Sequence, residues 1–156
     1  KYSITIDTLN EIIIISPNFT PALAEKCRLL MVIADWDQCV EACQKVFAQD
    51  ERNLLALKIY CFYLLAREGN FTEGIEKLDF LINSLEKCEP SNCDLLFQCV
   101  QVFTRISGGD PAILKRCSFM IEKAIKMRPI EADYSIEKAN IMLMKNEYQN
   151  AFSQYQ

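Results

Sequence analysis

Apolar residues recur along this chain in helix-periodic runs of about 14 residues, separated by short polar breaks. The runs and breaks predict helices at about 2–15, 20–33, 36–49, 54–67, 71–86, 93–106, 111–127, 132–145 and 147–156. The breaks carry helix-start chemistry. Thr20-Pro21 reads as an N-cap followed by a proline at the first helical position, and Asp110-Pro111 repeats the device after Gly108-Gly109. Asp35 and Asn70 stand at the turns before two further helices.

The helices repeat as pairs. Pro17 and Pro129 each close one apolar-periodic run and precede the next. Counting 34 residues per unit from Pro17 gives units at Thr20–Asn53 and from Leu54 onward. In a helix-pair repeat of this length, small residues are needed near unit positions 8 and 20, where the two backbones approach. Position 8 is Cys27, Cys61 and Ala139; position 20 is Cys39, Gly74, Cys117 and Ala151. Aromatic residues recur at position 17 (Tyr2, Trp36, Phe71, Tyr148), and large residues at position 24 (Leu9, Leu78, Ile121, Tyr155), with Cys43 as the exception. One residue is extra near Arg67–Phe71, about four around Glu89–Asn92 and about five around Ser107–Leu114, all assigned to turns, where a solenoid tolerates insertion.

This is the tetratricopeptide pattern. The expected fold class is all-α, a solenoid of antiparallel helix pairs stacked into a right-handed superhelix. A single array is expected over 1–156, with a lone second helix at 1–17, full units at 20–53, 54–88 and 93–129, and a shortened unit at 130–156. Both ends fall within the pattern, so the sequence reads as a piece of a longer array.

Composition narrows the function. Half of the 156 residues are hydrophobic and a quarter charged, the balance of a folded domain that buries roughly 70% of its unfolded surface. A net charge of −4 and the lack of any Lys/Arg run argue against nucleic acid as a partner. No apolar stretch is long enough to insert in a membrane; the densest, Ile12 to Ile15, is far too short. With no His, the chain cannot build Cys–His pairs, Ser–His–Asp triads or most zinc sites. No catalytic residue, metal ligand or cofactor is expected.

The eight Cys need their own reading. Cys39 and Cys43 share a helix face, and with Cys27 could form part of a metal site. The preferred reading is that they are small core residues at positions that require one. Cys88 and Cys93 are expected to be exposed in a linker. Asn18-Phe19-Thr20 and Asn70-Phe71-Thr72 match the glycosylation acceptor pattern, but coincide with helix starts, so capping explains the Asn and Thr, and packing the Phe. Glu73, Glu76, Lys77, Glu86 and Lys87 read as a solvated face.

Function is expected on the first helix of each pair, whose positions 2, 5, 9 and 12 face the concave side. The candidate contacts to other proteins are Arg28, Met31, Lys58, Phe62, Gln101, Asn140 and Leu143. The clamp for acidic chaperone tails needs Lys, Asn and Asn where this chain has Ala24, Arg28 and Ile59, so that use is excluded.

Asp35-Trp36-Asp37-Gln38, Arg67-Glu68-Gly69 in the lengthened turn, and Glu89-Pro90-Ser91-Asn92 resemble the large all-tetratricopeptide-repeat subunit of intraflagellar transport complex A, the tetratricopeptide repeat protein twenty-one family. The resemblance runs from about Leu9 to Tyr155, to the N-terminal part of that long protein. It implies a non-catalytic scaffold in retrograde intraflagellar transport and ciliary trafficking, located in the cytoplasm, the cilium and the basal body, whose partners are subunits of a transport complex. The alternative is a generic cytosolic adaptor unrelated to cilia, and a thiol-dependent redox or metal protein is a third reading.

Overall fold

A computed structural model describes the backbone of residues 1–154 and the side chains of residues 1–147. The described residues form helices α1 (Tyr2–Ile15), α2 (Thr20–Val32), α3 (Trp36–Gln49), α4 (Leu54–Phe62), α5 (Phe71–Cys88), α6 (Cys93–Ile106), α7 (Pro111–Met127) and α8 (Ala132–Gln154), with no strand among them. The fold is an all-α helical repeat of the tetratricopeptide type. Contacts group into two compact units, Lys1–Ser84 and Leu85–Gln156, and α5 runs through the boundary.

In the first unit, α2 and α3 pack as an antiparallel pair around Leu23, Cys27, Leu30, Cys39, Cys43 and Val46, joined by Ala56 and Ile59 of α4. The small residues sit where the repeat requires them. Cys27 and Cys39 are almost fully buried, and the Cys39 thiol donates to the Cys27 carbonyl at 3.4 Å, which ties the two helices at their closest approach. At Gly74 the requirement is steric. An added Cβ would lie 2.4 Å from Leu65 Cδ2 and 2.8 Å from Leu65 Cγ. Helix α1 lays Ile6 and Ile13 on this core but buries no residue fully; Ile4, Ile14 and Ile15 remain 72%, 78% and 84% exposed.

The extra residue near Arg67 lies one turn earlier than expected. Tyr63–Arg67 continues α4 as a π-helical turn, with the Glu68 amide donating to the Tyr63 carbonyl at 3.0 Å, five residues back. The chain then reverses through Gly69 at φ +63°, and the Asn70 amide donates to the Leu64 carbonyl at 2.8 Å. The corresponding reversal between α2 and α3 places Ala34 at φ 60°, with the Asp35 amide on the Leu30 carbonyl at 3.0 Å.

The capping expectations divide. Asp35, Asn70 and Asp110 accept amide hydrogen bonds at the starts of α3, α5 and α7. Asn53 and Asn92 do the same for α4 and α6. Thr20 does not cap. It is already helical, the cap position is Phe19, and no side chain serves there. Phe19 and Phe71 are not core residues either, keeping 48% and 40% of their surface exposed at helix starts.

The second unit packs α6 on α7 and α7 on α8, with Leu96, Val100, Phe103, Ile113, Met120 and Ile121 fully enclosed. Phe97 meets Tyr134 of α8 at 4.9 Å between ring centres. The five-residue insertion forms a turn in which the Ser107 hydroxyl donates to the Thr104 carbonyl (2.8 Å) and accepts from the Gly109 amide (3.2 Å). The expected break near 146 is absent. Residues 132–154 form one helix, since no Gly or Pro interrupts them and Asn146 alone does not stop a helix. Ala139 is exposed on it. Tyr148, Ala151 and Tyr155 lie outside the described side chains.

Candidate functional site

The four first-unit candidates lie on two helices that pack together, α2 and α4. Arg28 and Met31 are one turn apart on α2, and Lys58 and Phe62 one turn apart on α4; all four are half-buried. Arg28 Nε donates to both carboxylate oxygens of Glu25 at 3.0 Å. That bond holds the Glu25 carboxyl below its ordinary value and raises the Arg28 guanidinium. Met31 packs against the core, and Phe62 stacks on Trp36 with ring centres 5.8 Å apart and planes 19° from parallel. Two of the four thus carry packing as well as surface. In the second unit Gln101 is half-buried on α6, while Asn140 and Leu143 share an exposed side of α8.

Sequence reading missed a run of aromatic rings in the first unit. From Phe62 it passes to Trp36, then to Tyr63 (5.9 Å), Tyr60 (6.2 Å) and Phe47 (5.8 Å, edge to face). Its hydroxyl ends meet carboxylates. Tyr63 donates to Glu68 at 2.8 Å, and Tyr60 to Glu73 at 3.4 Å. Both phenols are raised above their ordinary value, Tyr60 chiefly by burial and then by Glu73, Tyr63 chiefly by its bond to Glu68, with Asp37 adding to it. Lys77 lies 5.9 Å from the Tyr60 ring centre, and Arg52 lies 4.7 Å from that of Phe80. Arg52 is held there by Asn83 and Ser84, each accepting at 3.0 Å. Of the α5 charges read as a solvated face, Glu76, Glu86 and Lys87 are exposed, but Glu73 and Lys77 turn to Tyr60. The run is hard to read from sequence because its members come from α3, α4 and the π-helical turn, and no single helical period links them.

Two clefts flank this region. One of about 340 Å³ is walled by Phe47 of α3 and by Glu76, Lys77 and Phe80 of α5, over Leu57. The other, about 150 Å³, lies over Leu23 between Ile13 of α1 and Gln38, Glu41 and Lys45 of α3. Leu23 and Leu57 occupy the same unit position, so the clefts are repeat-equivalent; each has a first-helix leucine at its floor and second-helix side chains in its walls.

Seven of the eight thiols are buried. Cys88 is exposed as expected; Cys93 is not, because it is the first residue of α6 and turns into the core at 3% exposure. Cys27, Cys39 and Cys43 come together, and hydrogen bonds from Cys27 and Cys39 with burial push the Cys43 thiol up. Burial raises the Cys117 thiol to about 11. Among the described residues no group of three His, Cys, Asp or Glu side chains could hold a metal ion, and no helix is long and apolar enough to cross a membrane.

A family model described as the tetratricopeptide repeat protein 21 second ARM domain matches residues 76–156. The whole chain is similar to tetratricopeptide repeat protein 21B of Homo sapiens, 32% identical over 155 residues, 99% of this chain and 12% of that protein. Tetratricopeptide repeat protein 21A of Homo sapiens is 30% identical over 163 residues, again 99% of this chain and 12% of that protein. The chain therefore spans about an eighth of the length of these relatives. Among solved structures, a crystal structure of MamA protein superposes with a TM-score of 0.62 at 15% identity, covering 99% of this chain and 79% of that one. The MamA RS-1 ArsTM double mutant gives 0.65 at 14% identity, covering 99% and 82%. At such identities the likeness speaks for the fold alone.

Proposed function

Since the chain belongs to the tetratricopeptide repeat protein 21 family, we propose that it is part of a non-catalytic protein-interaction scaffold, a subunit of the retrograde intraflagellar transport complex acting in cilium assembly and ciliary trafficking. The observation that carries this reading is the family match, over 76–156 by the family model and over 99% of the chain by its relatives. A helical repeat of this kind presents long faces without enclosing a pocket, which suits a protein partner more than a small molecule. In the first unit the contacts are assigned to Arg28, Met31, Lys58 and Phe62, and in the second to Gln101, Asn140 and Leu143. The protein works in the cytoplasm, the cilium and the basal body.

The test is affinity capture with the full-length protein from a ciliated-cell extract, read by mass spectrometry. Recovery of other intraflagellar transport subunits, reduced by Arg28→Ala with Lys58→Ala, supports the scaffold role. Recovery of an unrelated cytosolic assembly without any ciliary component favours the alternative, a generic repeat adaptor, and leaves the fold untouched.

A further inference from the structure

Ring faces in the first unit attract cations from within the chain. Lys77 lies over Tyr60 and Arg52 over Phe80, the latter held by Asn83 and Ser84. The electrostatic reason is the negative face of an aromatic ring, which favours Lys or Arg within about 6 Å of its centre. Trp36, Phe62 and Tyr63 form the other end of the same aromatic run, and among the described residues no Lys or Arg lies over any of the three.

That end also carries negative charge. Asp37 in the first turn of α3 and Glu68 at the end of the π-helical turn are both exposed, and Glu68 is anchored by the Tyr63 hydroxyl at 2.8 Å. The carboxylates of Glu68 and Asp37 both act on that hydroxyl and raise it. The π-helical turn is what sets this arrangement. It carries Tyr63 against Trp36 and Glu68 back onto Tyr63, five residues apart, where an α-helical turn would not superimpose them.

We propose that Trp36, Phe62 and Tyr63, bordered by Asp37 and Glu68, form a seat for a cationic side chain, arginine above all, presented by a partner protein of the scaffold. A guanidinium is planar, so it stacks on an indole or phenol face while its N–H groups reach the two carboxylates. A lysine ammonium satisfies the charge but not the plane and binds more weakly. The proposal rests on the protein-scaffold reading, and adds to it the chemistry of what is bound in the first unit.

Trp36 is the sole tryptophan of the chain, so its emission reports on the seat directly. The experiment titrates the folded 156-residue protein with acetylated, amidated hexa-arginine, then with hexa-lysine and hexa-glutamate, at low and physiological salt. The expected result is a saturable change in Trp36 emission with hexa-arginine, weaker with hexa-lysine and absent with hexa-glutamate. Asp37→Asn with Glu68→Gln should weaken hexa-arginine about ten-fold. Glu89→Gln with Glu131→Gln, which changes net charge equally in the second unit, should leave it unaltered. Tyr63→Leu, with both carboxylates kept, should weaken arginine more than lysine. No emission change at millimolar hexa-arginine overturns the proposal, as does equal weakening by the two charge-matched pairs or an equal response to hexa-glutamate. A silent titration beside successful capture of transport subunits sinks this seat and spares the scaffold reading; a positive titration without such capture does the reverse.

Discussion

Gly74→Ala tests whether the fold is set by close helix approach or by helix propensity. On an exposed helix the change would stabilise by about 1 kcal/mol, since alanine loses less backbone freedom than glycine. Gly74 is buried, and the new methyl would stand 2.4 Å from Leu65 Cδ2 and 2.8 Å from Leu65 Cγ. Leu65 is itself 3% exposed, at the π-helical turn, with little room to swing away. Forcing one carbon into such a contact costs about 1–3 kcal/mol. The steric effect outweighs the propensity gain, and the expected net loss is up to about 2 kcal/mol, or up to roughly 8 °C in Tm for a chain of this size. Urea titration followed by far-UV circular dichroism measures it. The Leu65→Ala background supplies the control. Leu65→Ala alone should lose about 2–5 kcal/mol, but it removes the obstructing atoms, so adding Gly74→Ala there should be neutral or stabilising, a coupling of about 1–3 kcal/mol. A Gly74→Ala protein as stable as the parent, or a penalty unchanged in the Leu65→Ala background, would refute the argument.

Four further outcomes are expected. Ala34→Gly should stabilise by about 0.5–1 kcal/mol, because Ala34 holds φ 60° in a reversal where its counterpart is Gly69; thermal melts of the two proteins check it. Iodoacetamide at pH 8 should label Cys88 within minutes and Cys117 only on unfolding, as mass spectrometry of timed samples would show. Because the folded Cys117 thiol titrates near 11, above its ordinary 9.0, its contribution to stability is complete below about pH 9 and lost as pH rises toward 11, visible as a falling urea midpoint across that window. Ile4→Lys with Ile15→Lys, on the outward stripe of α1, should change stability by less than about 0.5 kcal/mol, because both side chains are largely exposed; a larger loss in thermal melts would place the stripe in a packed face.

What could be read from the residues follows the physics that each signal reports. Small residues at fixed spacing announce backbone approach, so Cys27, Cys39, Cys61, Gly74 and Cys117 were assigned correctly and lie buried. A side-chain oxygen before a helix announces a cap, which held for Asp35, Asn70 and Asp110. It failed for Thr20, where Pro21 can sit at the second helical position as readily as the first, and the chain used Phe19 instead. Cys93 was misplaced because the insertion before it reads as linker to its last residue, while helix α6 begins on Cys93 itself. The seven candidate contacts were picked by unit position alone. Position cannot distinguish a free side chain such as Leu143 from one already stacked, such as Phe62, since Trp36 arrives from another helix. The aromatic run was invisible for the same reason.

The π-helical turn at Tyr63–Arg67 has a consequence for the phase of the repeat. One residue added within a regular α-helix rotates everything after it by about 100° and would swing the inward face out. Here the surplus is taken up inside one widened turn, and Gly74 still arrives opposite Leu65, on the inner side of its pair. Length can therefore drift by a residue without the repeat losing phase. Deleting exposed Ala66 would test that tolerance, by asking whether the regular spacing of 34 still folds when the widened turn is taken away.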